Sequence, residues 1–279
     1  MEVSAIKSRV ELINPDNGIY AVRGYWLGPL PAMSSYAYIV NTCPENGILV
    51  IDTCGCGSGR IIADAIKETG LRLSDVAGVA VTHWHKDHTG GLAEFVTLVT
   101  EAGAEDIKIF MHEKDLEIYR GGKGRFIRFH PIIKLPIYHS PGKVQPENNC
   151  EYIALNDCGE FNPLLPWGIE YIHAPGHTPG NLSFYQPGSG ALFSGSGILV
   201  DGKGTAGVSP VFYNREEQLE SARRLMKMDF KYLYPAHMKV VKEVVTRDRR
   251  DYIDESPSII QKIKGFLPLF NCPGGCDER

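Results

Sequence analysis

Residues 81–91 read VTHWHKDHTGG, and four side chains suited to binding a metal crowd into them: His83, His85, Asp87 and His88. A zinc ion that keeps one position open for water needs only three protein ligands. Four in one stretch leaves either a spare ligand or parts of two sites. Two more histidines stand in comparable places, His177 in HAPGHTPG and His237 in LYPAHM. Each follows an apolar run and lies in or beside a Pro/Gly turn. Five of the nine histidines therefore fall where strands are expected to end.

The elements that must position these groups can be read from periodicity. VAGVAVTH, residues 76–83, is a continuous apolar run, as for a strand buried on both faces. In extended chain, residues i and i+2 share a side, which aims His83 and His85 at one point. Asp87 and His88 lie past the strand end, where the chain turns toward a helix starting near Gly90. That turn aims them at a neighbouring point, and Gly90 and Gly91 let the backbone pack closely. RVELIN, GIYAVRGY, YAYIVNT, GILVID, IKIFMH, GIEYIHA, NLSFYQ, GALFSG and KYLYPAH read as further strands. Residues 58–69, GGLAEFVTLVTEAG, EKDLEIY, REEQLESARRLMKM and SPSIIQKIKGFL read as helices. Strand groups followed by helices predict two packed sheets with helices outside. In open sheets of this type ligands gather at strand ends. Residues 120–166, rich in Gly, Pro, aromatic and charged residues, read as a flap or cap inserted in a single domain spanning 1–279.

Bulk properties exclude several classes. The chain has 279 residues, 43% of them hydrophobic, enough for one large core. A net charge of −4 offers no broad basic field for a phosphate backbone, so no nucleic-acid partner is expected. No run of about 18 apolar residues suggests a membrane span. The start, MEVSAIKSRVEL, lacks a signal-peptide core, which makes the cytoplasm the expected location. Seven cysteines is an odd number, so at least one is free or pairs between chains. CGC at 54–56 and CPGGC at 272–276 have poor zinc-ribbon spacing and read as buried or loop thiols, a disulfide within 272–276 being the alternative.

The segments VIDT, THWHKDHTGG, APGHTPG, LFSGS and YPAH, in that order, resemble the metallo-β-lactamase superfamily over most of the chain. The resemblance implies an α/β fold, a four-layer αββα sandwich with metals at one edge of its sheets. It implies that His83, His85 and His177 hold one ion and that Asp87, His88 and His237 hold a second. Asp52 would steady the ligand loop, although taken alone it serves equally as a cap for the helix that follows. One position departs from the pattern. Many members carry an Asp that bridges the metals where this chain has Ser196, in FSGSG. The set is then similar to that of zinc β-lactamases lacking the bridge. A neutral Ser is a poor zinc ligand; it orients water or substrate, or is simply a small residue at a tight strand end.

The chemistry implied is that of two divalent ions, zinc foremost, with iron, manganese and cobalt suited to the same donors. Zinc brings a bound water to a pKa of about 7, and paired ions roughly 3.5–4 Å apart share a hydroxide. Asp87 would be both ligand and proton acceptor. The expected function is hydrolysis of an ester, lactone, β-lactam or related acyl bond of a small-molecule substrate, with room for several substrates. A phosphodiesterase or phosphotriesterase on the same site is the alternative. An iron redox enzyme is a rival of another class. Oxygen reductases of the family carry Glu where this chain has His85, and sulfur dioxygenases use the Asp replaced by Ser196. A catalytically dead scaffold is opposed by the complete ligand set. Trp26, Phe212 and Tyr213 are candidate substrate contacts, with Phe126, Phe129, Tyr138 and Trp167 as further candidate walls. His112, His130, His139 and His173 read as structural or surface groups. Oligomeric state is not legible.

Overall fold

The computed structural model describes residues 10–14, 17–25, 34–129, 137–142, 150–157, 161–200 and 206–237. The chain begins with β1 (Val10–Asn14), β2 (Ile19–Tyr25), β3 (Ser34–Val40) and β4 (Ile48–Ile51), followed by α1 (Ser58–Glu68) and β5 (Val76–Ala80). Next come α2 (Lys86–Thr89), α3 (Leu92–Glu101), β6 (Lys108–His112), α4 (Glu113–Arg120), β7 (Arg125–Phe129), β8 (Ile137–His139) and β9 (Glu151–Leu155). The second half comprises β10 (Glu170–His173), β11 (Leu182–Gln186), β12 (Ala191–Gly195), β13 (Leu199–Val200), β14 (Ala206–Gly207), β15 (Val211–Phe212), α5 (Arg215–Met226) and β16 (Tyr232–Pro235).

One sheet has seven strands in the order β1-β2-β3-β4-β5-β6-β9, antiparallel up to β4 and parallel from β4 onward. The other has the order β10-β11-β12-β16, with β12 and β16 parallel. Parallel neighbours require crossovers, which is why helices separate β4 from β5, β5 from β6, and β12 from β16. Two small sheets, β13-β14 and β15-β7-β8, complete the pairing.

Both faces of the large sheet are covered at its centre, so strands such as β4 and β5 are apolar without alternation. Ile39, Val50, Val79 and Ile109 share a buried cluster with Ile62 and Ile66 of α1 and Phe95 and Val99 of α3. Their neighbours Tyr38, Leu49, Ile51 and Phe110 pack in a second cluster with Phe184, Phe193 and Tyr234 of the other sheet. On that sheet's far side, Leu192 and Leu233 meet Ala222, Leu225 and Met226 of α5. Three apolar layers thus bind helix, sheet, sheet and helix into the four-layer sandwich. Each fully buried large side chain contributes on the order of 1.5–3 kcal/mol.

Local differences from the sequence reading concern the site and the insertion. β5 ends at Ala80, and the backbone from Val81 to His85 is irregular. The helical turn opens at Lys86, so Asp87 and His88 sit in α2 rather than ahead of a helix near Gly90. Inside 120–166, Glu151–Leu155 is an edge strand of the large sheet, paired with β6. That strand is short and half-exposed, so it lacks the apolar run that marks β4 or β5. Cys43, Cys54 and Cys150 form no disulfide, whereas Cys56, expected from the CGC stretch to be a thiol, is disulfide-bonded. The helix expected at 256–267, the Cys272 and Cys276 pair, Trp26 and His130 lie outside the described residues. Among the described residues no helix is long and apolar enough to cross a membrane.

Candidate metal centre

The chemistry-bearing residues follow the C-terminal ends of strands from both sheets. Asp52 follows β4, residues 81–89 follow β5, His177 follows β10, Ser196 follows β12 and His237 follows β16. Backbone bonds stitch these ends together: Asp52 N–H donates to Ala80, Leu182 N–H to Thr82, and Ala236 N–H to Gly195. The glycine pair predicted to pack closely does so. A Cβ on Gly91 would collide with the carbonyl of Thr53, and one on Gly90 with the backbone of Cys56.

Three ring nitrogens form a nearly equilateral triangle. His83 Nε2 and His85 Nδ1 are 3.1 Å apart, and His177 Nε2 is 3.1 Å from each. His177 Nδ1–H donates to the Val211 carbonyl at 2.8 Å, so its Nε2 presents a lone pair. Thr82 Oγ1 donates to Asp52 Oδ2 at 2.8 Å and therefore accepts from His83 Nδ1–H at 3.0 Å, which leaves His83 Nε2 as a lone pair too. Lone pairs do not converge without a cation to share. Burial, with like-charged histidine neighbours, holds His83 well below the usual imidazole range and brings His177 down to about 3. Both rings are thus neutral at physiological pH, as metal ligands must be.

A second group adjoins the first, with the His83 and His88 ring centroids 3.8 Å apart. Asp87 Oδ2 lies 3.2 Å from His237 Nε2 and 3.6 Å from His88 Nε2, and these two nitrogens are 3.2 Å apart. Burial opposes charge on Asp87, yet His88 and His237 hold its pKa far below the ordinary carboxylate range. Burial also opposes a charged His88, but the Asp52 and Asp87 carboxylates outweigh it and raise its pKa. Carboxylates that favour a proton on His88 Nε2 equally favour a metal cation there. Asp52 Oδ2 takes His88 Nδ1–H at 2.7 Å, the carboxylate–histidine arrangement that fixes a ligand's tautomer. Asp52 also accepts from Thr82 N–H at 2.8 Å, and its own φ of 57° is left-handed, so the surrounding bonds hold strained backbone. Ser196 Oγ lies 3.4 Å from His88 Nε2, at the margin of the second group. Both donor sets fit divalent ions of the zinc class: imidazole and carboxylate atoms spaced to share one centre, with no thiolate.

A third cluster, His112, Asp157 and His173, is a hydrogen-bonded knot. His112 Nδ1 accepts from Lys114 N–H at the start of α4, so its Nε2 carries the proton donated to Asp157 at 2.8 Å. That nitrogen has no lone pair to offer a metal, and Lys114 Nζ already neutralises the carboxylate at 2.8 Å. The expectation that His112 and His173 are structural matches this arrangement; His139 lies in β8.

Of the expected substrate contacts, Phe212 is buried, with the Arg215 guanidinium 5.8 Å from its ring centre. Tyr213 is 56% exposed, and its N–H donates to the carbonyls of Gly176 and His177. Trp167 is buried at the opposite side of the sandwich, bonded to the Gly47 carbonyl. Three residues beside the ligands escaped the sequence reading: Thr82, Val211 and Asp115. Asp115 is fully buried, and burial pushes its carboxyl up to about 7 against the donors that surround it. Its sequence context is an ordinary first helical turn, and the groups it meets are 31 or more residues away.

Two converging histidine-rich groups at one edge of an αββα sandwich define a metal-binding protein of the metallo-β-lactamase type. The chain belongs to the metallo-β-lactamase superfamily, whose family model matches residues 30–237. It is 25% identical over 243 residues to an atrochrysone carboxyl ACP thioesterase of Aspergillus terreus, covering 85% of this chain and 59% of that protein. It is 28% identical over 218 residues to a protein of the same name from Emericella nidulans, covering 77% of this chain and 55% of the relative. The chain thus spans little more than half the length of these relatives. Among solved structures, the subclass B3 metallo-β-lactamase MEM-A1 from a soil metagenome library is similar in fold. Its TM-score is 0.57 at 19% identity, covering 91% of this chain and 95% of that one.

Proposed function

We propose that the protein is a metal-dependent acyl hydrolase with two divalent ions, zinc foremost, acting on a small-molecule ester or thioester. The observation that carries this is the convergence of two ligand groups on a shared wall, Thr82 and Asp52. In this reading His83, His85 and His177 hold one ion, and Asp87, His88 and His237 hold the other. Bound ions of this kind supply a nucleophilic water near neutral pH and a seat for the developing oxyanion. In this reading Asp87, whose Oδ2 lies 3.2 Å from His237 Nε2 and 3.6 Å from His88 Nε2, would be both ligand and proton acceptor. Asp52 keeps His88 in the ligating tautomer. Ser196 in place of a bridging carboxylate leaves the centre one negative charge poorer, which favours carbonyl-rich or anionic substrates.

The choice of a thioester is supported by the relatives from Aspergillus terreus and Emericella nidulans, both named as acyl carrier protein thioesterases. Tyr213, exposed and bonded through its backbone to the His177 loop, is the substrate contact this reading favours. β15 pairs with β7, which joins the strand next to His177 to the early part of the proposed flap. That pairing supports a cap over the same edge.

The test is metal analysis of purified protein beside a panel of acyl thioesters, lactones, nitrocefin and phosphodiesters, with and without chelator. The expected result is thioester hydrolysis lost on chelation and restored by zinc, with bound zinc approaching two per chain. Flat activity across the panel, or bound iron with oxygen consumption, would overturn it.

A further inference from the structure

Asp115 stands at the third position of α4, where a carboxylate usually turns back onto its own helix end. Here it turns away and bonds two loops from opposite halves of the sandwich. Oδ2 accepts the Trp84 N–H at 3.2 Å, and Trp84 is the residue between His83 and His85. The same oxygen bonds the Thr178 hydroxyl at 2.6 Å, one residue after His177. Oδ1 accepts the Gly180 N–H at 2.7 Å. Gly180 is glycine for room: a Cβ there would stand 2.7 Å from Asp115 Oδ1. A buried carboxylate is costly unless fully bonded, and these three donors bond it.

We infer that Asp115 is a positioning residue, a clasp that holds the His83–His85 loop against the His177 loop and so sets the geometry of the three-histidine group. These bonds go to Trp84, Thr178 and Gly180, and none of them reaches Asp87, His88 or His237. The clasp therefore acts selectively, on one group and not on its neighbour. An asparagine fails as a substitute. With one acceptor and one NH2, it must oppose an N–H donor to the N–H of either Trp84 or Gly180.

The inference rests on the ligand assignment above, and single-site backgrounds separate the two. His88→Ala leaves the three-histidine group, and His85→Ala leaves the other. Zinc affinity is measured in each by competition with a chromophoric chelator, alone and combined with Asp115→Asn or with the milder Thr178→Val. Circular dichroism confirms folding. In the His88→Ala background, Asp115→Asn lowers affinity about 10-fold or more, the scale of a lost supporting bond, and Thr178→Val lowers it less. In the His85→Ala background both leave affinity within about twofold. Unchanged affinity in the first background, or an equal fall in both, would overturn the clasp. Failure of the backgrounds with Asp115 intact to bind zinc would overturn the ligand assignment and the clasp with it.

Discussion

At the scale of single residues, His88 is the most heavily constrained ligand candidate. Its Nδ1–H is held by Asp52 at 2.7 Å, and its Nε2 faces Asp87, His237 and Ser196. With a hydroxyl where a bridging carboxylate is usual, a second ion, as proposed, would depend on three side chains. His88→Ala is therefore expected to lower zinc from about two per chain toward one, measured by elemental analysis after gel filtration. Two tightly held ions in that variant would contradict the assignment. The candidate site was largely legible at this scale. His83, His85, Asp87 and His88 are neighbours in sequence, and the two distant histidines carry turn signals of their own. Asp115 and Thr82 were not legible, because their partners meet them only through loops far apart in the chain.

At the scale of elements, α4 illustrates how a histidine serves structure. His112 caps it by accepting from Lys114 N–H, and its ring stacks on His173 at 4.2 Å. Burial, with His173 beside it, lowers the His112 pKa from 6.5 to about 4. Between those values the unfolded chain binds a proton that the folded chain refuses. The His112 contribution is therefore intact above about pH 6.5 and lost progressively as the pH falls toward 4. Asparagine also caps helices well. His112→Asn should thus flatten the decline of thermal stability between pH 6.5 and 4, read as the slope of Tm against pH. An unchanged slope would count against this origin. Elements buried on both faces, such as β4 and β5, were legible from their apolar runs. β9 was not: it is a short, mostly part-exposed edge strand, and its pairing with β6 defines it.

At the scale of the whole molecule, the site ties the two sheets together. Its ligand candidates come from strand ends of both, so metal binding is linked to folding. An ion held at 100 times its Kd adds about 2.7 kcal/mol of stability. Stripping metal with a chelator and dialysing it away is expected to lower Tm by several degrees, reversed by zinc. A Tm indifferent to metal would mean that the ligands are not shared between the halves as described.

The sequence alone marked out the main strands and helices and the candidate ligands, because apolar periodicity and His/Asp spacing are local properties of the chain. The four-layer order and the grouping of ligands came from the resemblance those motifs carry. The tertiary structure decided which atoms face one another. The 3.1 Å triangle, the grip of Asp52 on His88 and the bonds of Asp115 each join loops from separate strands. Such contacts depend on how two twisted sheets stack and where their strands end. No stretch of sequence records that by itself.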